Sequence, residues 1–248
     1  MGIKIYLGNV GSGKTACVVR ELILNSDNRQ TFSNIQTKKI KNNTVIKPEM
    51  IIKKDLVKVK KSGEEVYKKT LNVDFWKKAT EKYKSVNVAL DEAHTLLNSR
   101  RAMSDLNKVL TDFLALIRRV LGSDSRGSGD LILISQLERR LDIVAVEMAN
   151  VIKYHVCHYQ KSCKNCGYSL FENNEIPESL FKCPSCGKFD LYRHNFKIEV
   201  WEFKNMDLFR RWYQAGINSY YNHYYILDIE KVFPYYNTLQ WDNLISED

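Results

Sequence analysis

Long apolar runs are missing from this sequence of 248 residues. No stretch approaches the roughly eighteen consecutive apolar residues of a membrane-spanning helix, and the longest candidate, Leu131 to Ile134, has only the length of a strand. The first residues alternate between apolar and polar side chains, which is typical of a strand and not of a signal or transit peptide. Internal repeats and low-complexity tails are missing as well. We therefore expect a cytoplasmic protein with no membrane span and no targeting segment.

Arginine is missing where lysine is most dense. The segment from Lys38 to Lys84 contains fifteen lysines, no arginine and six acids, so its net charge of +9 equals that of the whole chain. Such concentrated positive charge suits contacts with the phosphate backbone of nucleic acid, which need no base recognition. A solvated, lysine-rich surface explains the pattern equally well.

A glycine-rich segment follows the first predicted strand. It reads GNVGSGKT and fits the phosphate-binding loop pattern G-x-x-x-x-G-K-[ST]. The strand before it and the helix after it place backbone N–H groups and the positive end of the helix dipole at one point. Its glycines permit positive φ angles and close approach of a phosphate. The sequence predicts ATP binding by Gly8, Asn9, Val10, Gly11, Ser12, Gly13, Lys14 and Thr15.

Two acids complete the expected site. The apolar strand Val86 to Leu90 ends directly before Asp91 and Glu92. Asp91 is expected to hold Mg²⁺ together with the Thr15 hydroxyl, while Lys14 reaches the β- and γ-phosphates. Glu92 is expected to orient or deprotonate the attacking water. Two acids can also simply begin a helix, but a kinase must exclude water, so Glu92 favours a hydrolase.

Gln136 follows another apolar strand, Asp130 to Ser135. If this strand neighbours the first one, Gln136 lies beside the phosphate loop and can sense the γ-phosphate. A surface residue that begins a helix is the alternative. His94 is near the acids in sequence, but such a histidine more often packs near a site than acts in it.

An arginine from a neighbouring subunit would complete the mechanism by stabilising charge in the transition state. Arg118 and Arg119 lie outside the apolar stripe of a predicted helix from Ser104 to Leu121, so they are free to contact a partner. We take these two as candidate catalytic arginines. The other candidates are Arg100, Arg101, Arg139 and Arg140.

Four cysteines form two Cys-x-x-Cys-Gly units. Their spacing predicts that four thiolates converge on one Zn²⁺, whereas two disulfides are disfavoured in a reducing cytosol. The ligands are Cys163, Cys166, Cys183 and Cys186. The remaining Cys17 and Cys157 are expected to be small buried residues.

The function of this zinc ribbon is less defined by its sequence. Its aromatic residues can stack on bases, but we favour a small ribbon core, and hence a structural or partner-docking module. These residues are Tyr168, Phe171, Phe181 and Phe189.

Strands and helices alternate along the rest of the chain. The helices are predicted from Lys14 to Asn25, from Asp74 as cap to Tyr83, and from Glu138 to Ala149. A second strand is predicted at Gln30–Ile35, and a hairpin around Ser62–Gly63. We expect an α/β fold, a mostly parallel sheet flanked by helices with an inserted zinc ribbon. The expected domains are 1–160, the ATPase core with a basic insertion at 38–84; 161–190, the ribbon; and 191–248, a return strand and a tyrosine-rich segment.

The tyrosine-rich segment leaves two interpretations open. Such amphipathic rings suit a surface that another subunit half covers, and packing on the same domain is equally plausible. The residues are Tyr213, Tyr220, Tyr221, Tyr224, Tyr225, Tyr235 and Tyr236.

The order of these motifs resembles the HerA–FtsK superfamily of DNA-pumping P-loop ATPases. GNVGSGKT, LDEAH, a long helix with Arg118-Arg119, and LILISQ occur in that order. The sequence is most similar to genome-packaging ATPases of archaeal viruses and Zot-like assembly ATPases of filamentous phages. Ser33-Asn34-Ile35 and the segment FPYYNT from Phe233 to Thr238 also look like that branch.

The resemblance implies a homo-oligomeric ring, a hexamer, that moves double-stranded DNA through a central channel. It implies the same ATP site, formed by Lys14, Thr15, Asp91, Glu92 and Gln136. Zot-like proteins carry a membrane helix that we do not find here, which favours packaging a viral or mobile-element genome, in the host cytoplasm if the chain is viral. The ribbon is not a general feature of the superfamily, and a capsid or other assembly protein is its candidate partner.

Two other functions compete with an ATP-hydrolysing DNA translocase. A nucleoside monophosphate kinase with a zinc lid would need arginines around the transferred phosphoryl group, and the ribbon has none. A zinc-ribbon adaptor that uses its nucleotide site as a switch would hydrolyse ATP slowly and without coupling. A two-lobed helicase would need a second lobe, for which the chain after Asn150 has no room.

Overall fold

The computed structural model describes residues 2–27, 29–59, 65–83, 86–93, 112–113, 129–136, 141, 143–175 and 182–237. The strands are β1 (Ile3–Leu7), β2 (Gln30–Ser33), β3 (Asn43–Val45), β4 (Ile52–Val59), β5 (Glu65–Leu71), β6 (Val86–Leu90), β7 (Leu131–Ile134), β8 (Val151–Cys163), β9 (Ser169–Asn173), β10 (Leu191–Phe203) and β11 (Asn222–Ile226). The helices are α1 (Lys14–Asn25), α2 (Pro48–Ile51), α3 (Val73–Lys82), α4 (Ile143–Met148), α5 (Met206–Ala215) and a 3₁₀ helix at Ile229–Tyr235.

Nine strands form one sheet in the order β11-β10-β8-β1-β7-β6-β2-β3, with β9 paired to β8. The pairs from β8 through β1, β7, β6 and β2 to β3 are parallel, whereas β9, β10 and β11 add antiparallel edges. Apolar side chains fill both faces of the parallel strands, so helices must cover both faces. The predicted mostly parallel α/β fold is confirmed.

Two apolar layers sandwich the sheet. On one face, α1 and the 3₁₀ helix pack against Tyr6, Ile132 and Ile198. On the other face, α3, α4 and α5 pack against Ile5 and Leu133. Because β1, β6 and β7 run parallel, their carboxyl ends lie at one edge of the sheet, where the phosphate loop, Asp91 and Gln136 follow.

The lysine-rich segment folds into a strand, two helices and a hairpin. β4 and β5 form a separate antiparallel pair, as predicted around Ser62–Gly63, although the turn itself lies outside the described residues. The cap of α3 differs from the prediction. Asn72, not Asp74, is the N-cap, and its side chain accepts from the Phe75 amide over 3.2 Å.

The predicted helix from Glu138 to Ala149 is shorter in the structure. Leu141 lies in a bend, and the described helix is α4 at Ile143–Met148. The predicted helix from Ser104 to Leu121 lies outside the described residues except for positions 112 and 113, where Phe113 is fully buried against Trp76.

Candidate functional site

The phosphate loop connects β1 to α1 in a conformation that requires glycine. Gly8, Gly11 and Gly13 have φ angles of 145°, 77° and 82°. A Cβ atom on Gly8 would lie 2.5 Å from the His155 carbonyl oxygen, and one on Gly13 would lie 2.4 Å from Cδ1 of Ile198. The loop therefore fits against β8 and β10 only without side chains at these two positions.

Lys14 is buried inside this loop. Its Nζ donates to the carbonyl oxygens of Gly8 at 2.8 Å and Asn9 at 2.9 Å, and to the Ser12 hydroxyl at 3.2 Å. Burial lowers its pKa, although the carboxylates of Asp91 and Glu92 oppose this shift. An ammonium group has three N–H donors, and the three oxygens of the loop accept all of them. A phosphate oxygen would have to replace one or more of these acceptors.

Thr15 and Asp91 meet across the end of the sheet. The Thr15 hydroxyl donates to Oδ2 of Asp91 over 2.8 Å. Burial raises the pKa of Asp91, while its hydrogen bonds from Thr15 and from the Glu92 amide oppose that shift. A hydroxyl and a carboxylate are the hard oxygen ligands that Mg²⁺ prefers. The pair therefore fits the predicted magnesium position.

Asn34 is a further residue of this site, and its sequence pattern did not predict a role there. Its Oδ1 accepts from the Asp91 amide over 2.7 Å, and its Nδ2 donates to the Asp91 carbonyl over 2.9 Å. One side chain thus fixes both backbone groups of Asp91. The segment Ser33-Asn34-Ile35 resembled the family, but only the pairing of β2 with β6 brings Asn34 to Asp91.

Glu92 and Gln136 also meet. Because β7 lies between β1 and β6, Gln136 is brought beside the two acids, and its Nε2 donates to Oε1 of Glu92 over 3.1 Å. Glu92 has a φ angle of 49°, which non-glycine residues adopt rarely. The predicted condition for Gln136, that its strand neighbours β1, is met.

His155 packs against the start of the phosphate loop. No pattern in the sequence indicated this position. Its ring stacks on Tyr6 at 5.1 Å, and its Nδ1 lies 3.1 Å from the Leu7 carbonyl oxygen. Since a carbonyl only accepts, Nδ1 must carry the proton. Burial lowers the pKa of His155 to about 3, so the ring is neutral at physiological pH.

The remaining predicted residues of this site lie outside the described residues. They are His94, Arg100, Arg101, Arg118, Arg119, Arg139 and Arg140.

The four cysteines form a second candidate site at the tip of the β8–β10 hairpin. Their Sγ atoms all lie within 4.8 Å of one another, with Cys163 to Cys186 at 3.7 Å and Cys166 to Cys183 at 3.5 Å. Four thiolates around Zn²⁺ at about 2.3 Å would lie about 3.8 Å apart. All four cysteines are free rather than disulfide-bonded. The thiol positions therefore fit a tetrahedral zinc site.

The two Cys-x-x-Cys-Gly units have the same backbone hydrogen bonds. The amides of Gly167 and Gly187 donate to the carbonyls of Cys163 and Cys183, at 3.1 and 2.8 Å. Both glycines have positive φ angles, 74° and 71°. This repeated turn presents both cysteines of each unit to the same point.

The predicted aromatic core of the ribbon is wrong. Phe171 is 80% exposed and Phe189 is 71% exposed, although Phe171 lies on β9, which pairs with β8. Tyr168 is half-buried, and Phe181 lies outside the described residues. As predicted, Cys17 and Cys157 are buried, and burial raises their pKa values to about 12 and about 11.

The tyrosine-rich segment contains both exposed and packed rings. Tyr213, Tyr221 and Tyr225 expose about half of their surface. The other four pack against the apolar layers of this chain; they are Tyr220, Tyr224, Tyr235 and Tyr236. In the part of the chain that the structure describes, no helix combines the length and the hydropathy needed to cross a membrane.

Comparison with solved structures supports the fold. The N-terminal domain of zonular occludens toxin from Neisseria meningitidis is similar over 95% of this chain and 98% of that chain, with a TM-score of 0.50 and 17% identity. The genome packaging NTPase B204 from Sulfolobus turreted icosahedral virus 2, in complex with ATP-gammaS, aligns over 62% of this chain and 74% of that chain, with a TM-score of 0.40 and 16% identity. At such identity the first likeness shows a common fold. No curated protein sequence matches this chain.

The family comparison covers more than half of the chain. The zonular occludens toxin (Zot) family matches residues 2–163, from β1 through the phosphate loop to the first zinc-ribbon cysteine. Together with the fold and the loop geometry, this match shows that the protein belongs to the Zot family of P-loop NTPases.

Proposed function

We propose that this protein hydrolyses ATP and uses the energy to move double-stranded DNA, packaging or mobilising a viral or mobile-element genome. The observation that carries the ATPase proposal is the hydrogen bond between Gln136 and Glu92, beside the Thr15–Asp91 pair. A carboxylate and an amide side chain beside a phosphate loop support hydrolysis, which needs groups that orient a water molecule.

The proposed chemistry assigns a role to each group. Lys14 leaves the loop carbonyls for the β- and γ-phosphates; Thr15 and Asp91 would hold Mg²⁺, which would supply positive charge beside the phosphates. Glu92 accepts a proton from the attacking water as the water oxygen bonds to the γ-phosphorus. The bond between that phosphorus and the bridging oxygen breaks, and ADP and phosphate leave. Gln136 orients the Glu92 carboxylate.

The lysine-rich hairpin supports DNA as the substrate of the motor. Lys54 on β4 pairs directly with Lys69 on β5. Like charges directly opposite on paired strands are unfavourable, and an anionic backbone laid across them would relieve the repulsion. The opposite face differs, because Lys53 forms a salt bridge with Asp55 at 3.3 Å. We therefore assign the face of Lys54 and Lys69 to the DNA.

The assembly is also a proposal. A homo-hexameric ring would let Arg118 or Arg119 of one subunit reach the ATP of the next. The ATPase core at 1–160, with its basic insertion at 38–84, would form the motor, and the ribbon at 161–190 would dock a capsid or other assembly protein. The segment at 191–248 would return the chain to the sheet.

ATP turnover measured with and without duplex DNA tests this function, alongside the mass of the particle with and without ATP. We expect DNA to stimulate turnover several-fold and ATP to favour a hexamer. A rate that is unchanged by duplex DNA, from a protein that stays monomeric, would refute the motor. Transfer of the phosphoryl group to a nucleoside monophosphate would instead establish the kinase.

A further inference from the structure

The ribbon insertion touches the phosphate loop through Asn174. This residue directly follows β9, between the two pairs of zinc-ribbon cysteines. Its Nδ2 donates to the carbonyl oxygen of Val10 over 3.3 Å. Val10 is 72% exposed at the tip of the loop. The contact therefore joins the part of the chain that leads into the ribbon to the part expected to bind phosphate.

Asn174 is itself anchored at two points on β8. Its backbone N–H donates to the Cys157 carbonyl over 3.0 Å, and its side-chain Oδ1 accepts from the backbone N–H of Cys157 over 2.7 Å. The next residue, Glu175, accepts from the hydroxyl of the buried Tyr154 over 2.6 Å. Because Oδ1 is held by β8, the Asn174 side chain cannot turn Nδ2 away from Val10 without losing a hydrogen bond.

The contact restrains the peptide group between Val10 and Gly11. All described peptide bonds are trans, and in a trans peptide the C=O and N–H groups point in opposite directions. A Val10 carbonyl directed to Asn174 therefore directs the Gly11 N–H away from Asn174. Gly11 has a φ angle of 77°, and a Cβ atom added to it would meet no atom within 4 Å, so little packing holds this side of the loop.

We propose that Asn174 is a positioning residue of the nucleotide site. It holds the Val10–Gly11 peptide so that the Gly11 N–H can donate to a phosphate oxygen. The ribbon insertion at 161–190 thereby contributes to the ATP site. This inference rests on the proposed nucleotide binding. It assigns to the ribbon a role in the affinity for ATP that is separate from docking a partner.

Asn174→Asp separates the two functions of the side chain in the full-length protein. An aspartate keeps the oxygen that accepts from the Cys157 amide but loses the N–H that donates to Val10. We expect an unchanged melting temperature, an affinity for a non-hydrolysable ATP analogue that is about threefold to tenfold weaker, and a KM raised more than kcat is lowered. Asn205→Asp is the matched control, because Asn205 caps α5 far from the loop in sequence and aspartate caps equally well.

Hydrogen exchange in the unmodified protein provides a measurement that needs no variant. We expect the analogue to slow exchange at Asn174 and Glu175 together with the loop. Affinity of Asn174→Asp within twofold of the unmodified protein, or exchange at 174–175 that does not respond, would overturn the inference. A protein that binds no nucleotide at all would overturn the proposed function as well, which distinguishes the two failures.

Discussion

Nε2 of Gln136 donates to Oε1 of Glu92 over 3.1 Å, and this hydrogen bond joins residues that are 44 positions apart in sequence. The two residues follow adjacent parallel strands, β7 and β6. A carboxylate that an amide holds in one orientation is suited to direct a water molecule. The first prediction depends on this pair.

Glu92→Gln should lower kcat for ATP hydrolysis by at least about a hundredfold while ATP binding is retained, because a general base contributes on that order. Turnover of ATP and affinity for a non-hydrolysable analogue measure the two effects separately. Glu147→Gln is the matched control, since Glu147 is exposed on α4, and its kcat should be unchanged. Hydrolysis that survives in Glu92→Gln would show that another group activates the water.

Asn34→Ala should lower both stability and activity. It removes two hydrogen bonds to the Asp91 backbone, at a cost of about 1–3 kcal/mol, and it releases the carboxylate expected to hold Mg²⁺. We expect kcat to fall and the Mg²⁺ concentration for half-maximal rate to rise. Asn72→Ala removes the cap of α3 and should lower the free energy of unfolding by about 1 kcal/mol without changing the Mg²⁺ dependence. An identical Mg²⁺ dependence in both variants would exclude the positioning role of Asn34.

Replacement of Lys54 and Lys69 by glutamate should weaken binding of duplex DNA and reduce its dependence on salt. Each lost phosphate contact reduces the slope of log affinity against log salt by about 0.9. The same charge change at the exposed Lys204 and Lys231 is the control. Equal losses in both double variants would mean that only the net charge matters and that the hairpin is no specific contact.

The protein should contain one zinc ion per chain, held by the four ribbon cysteines. Cys166→Ser should release it, because three thiolates bind zinc more weakly than four, and a chelator should lower the melting temperature of the unmodified protein. Cys157→Ser is the control, since this cysteine is buried outside the cluster, and it should keep its zinc. Mass spectrometry of the metal content measures the zinc bound per chain. An unmodified protein that contains no zinc after purification would contradict the predicted site.

Acid should destabilise the protein through His155. The pKa of His155 is about 3 in the folded protein, and its value without burial is 6.5. Between these two pH values the unfolded chain therefore binds a proton that the folded chain does not. The contribution to stability is complete above about pH 6.5 and declines as the pH falls, by up to about 1.4 kcal/mol per pH unit. His155→Phe keeps a ring on Tyr6 but cannot titrate.

Denaturant unfolding at pH 7, 6 and 5 measures this effect. The variant should be less stable at pH 7, because the hydrogen bond to Leu7 is lost, but its stability should decline less between pH 7 and 5. Parallel declines in the two proteins would assign the acid sensitivity to other groups.

Sequence alone determined much of the nucleotide site. The glycine spacing from Gly8 to Gly13, followed by Lys14 and Thr15, predicted a phosphate loop, and all three glycines have the positive φ angles that glycine readily adopts. The strand Val86–Leu90 had to deliver Asp91 to the same end of a parallel sheet. These patterns are short, so residues that are adjacent in sequence determine the conformation of each segment.

Tertiary structure decided the contacts between distant segments. Asn34, His155 and Asn174 reach the site only through strand order and register, which no local pattern encodes. The same holds for Phe171 and Phe189, which are exposed, because their sequence does not indicate whether another segment packs over them. Sequence thus specified the groups expected to contact phosphate, and the packing of the sheet selected the residues that hold those groups in place.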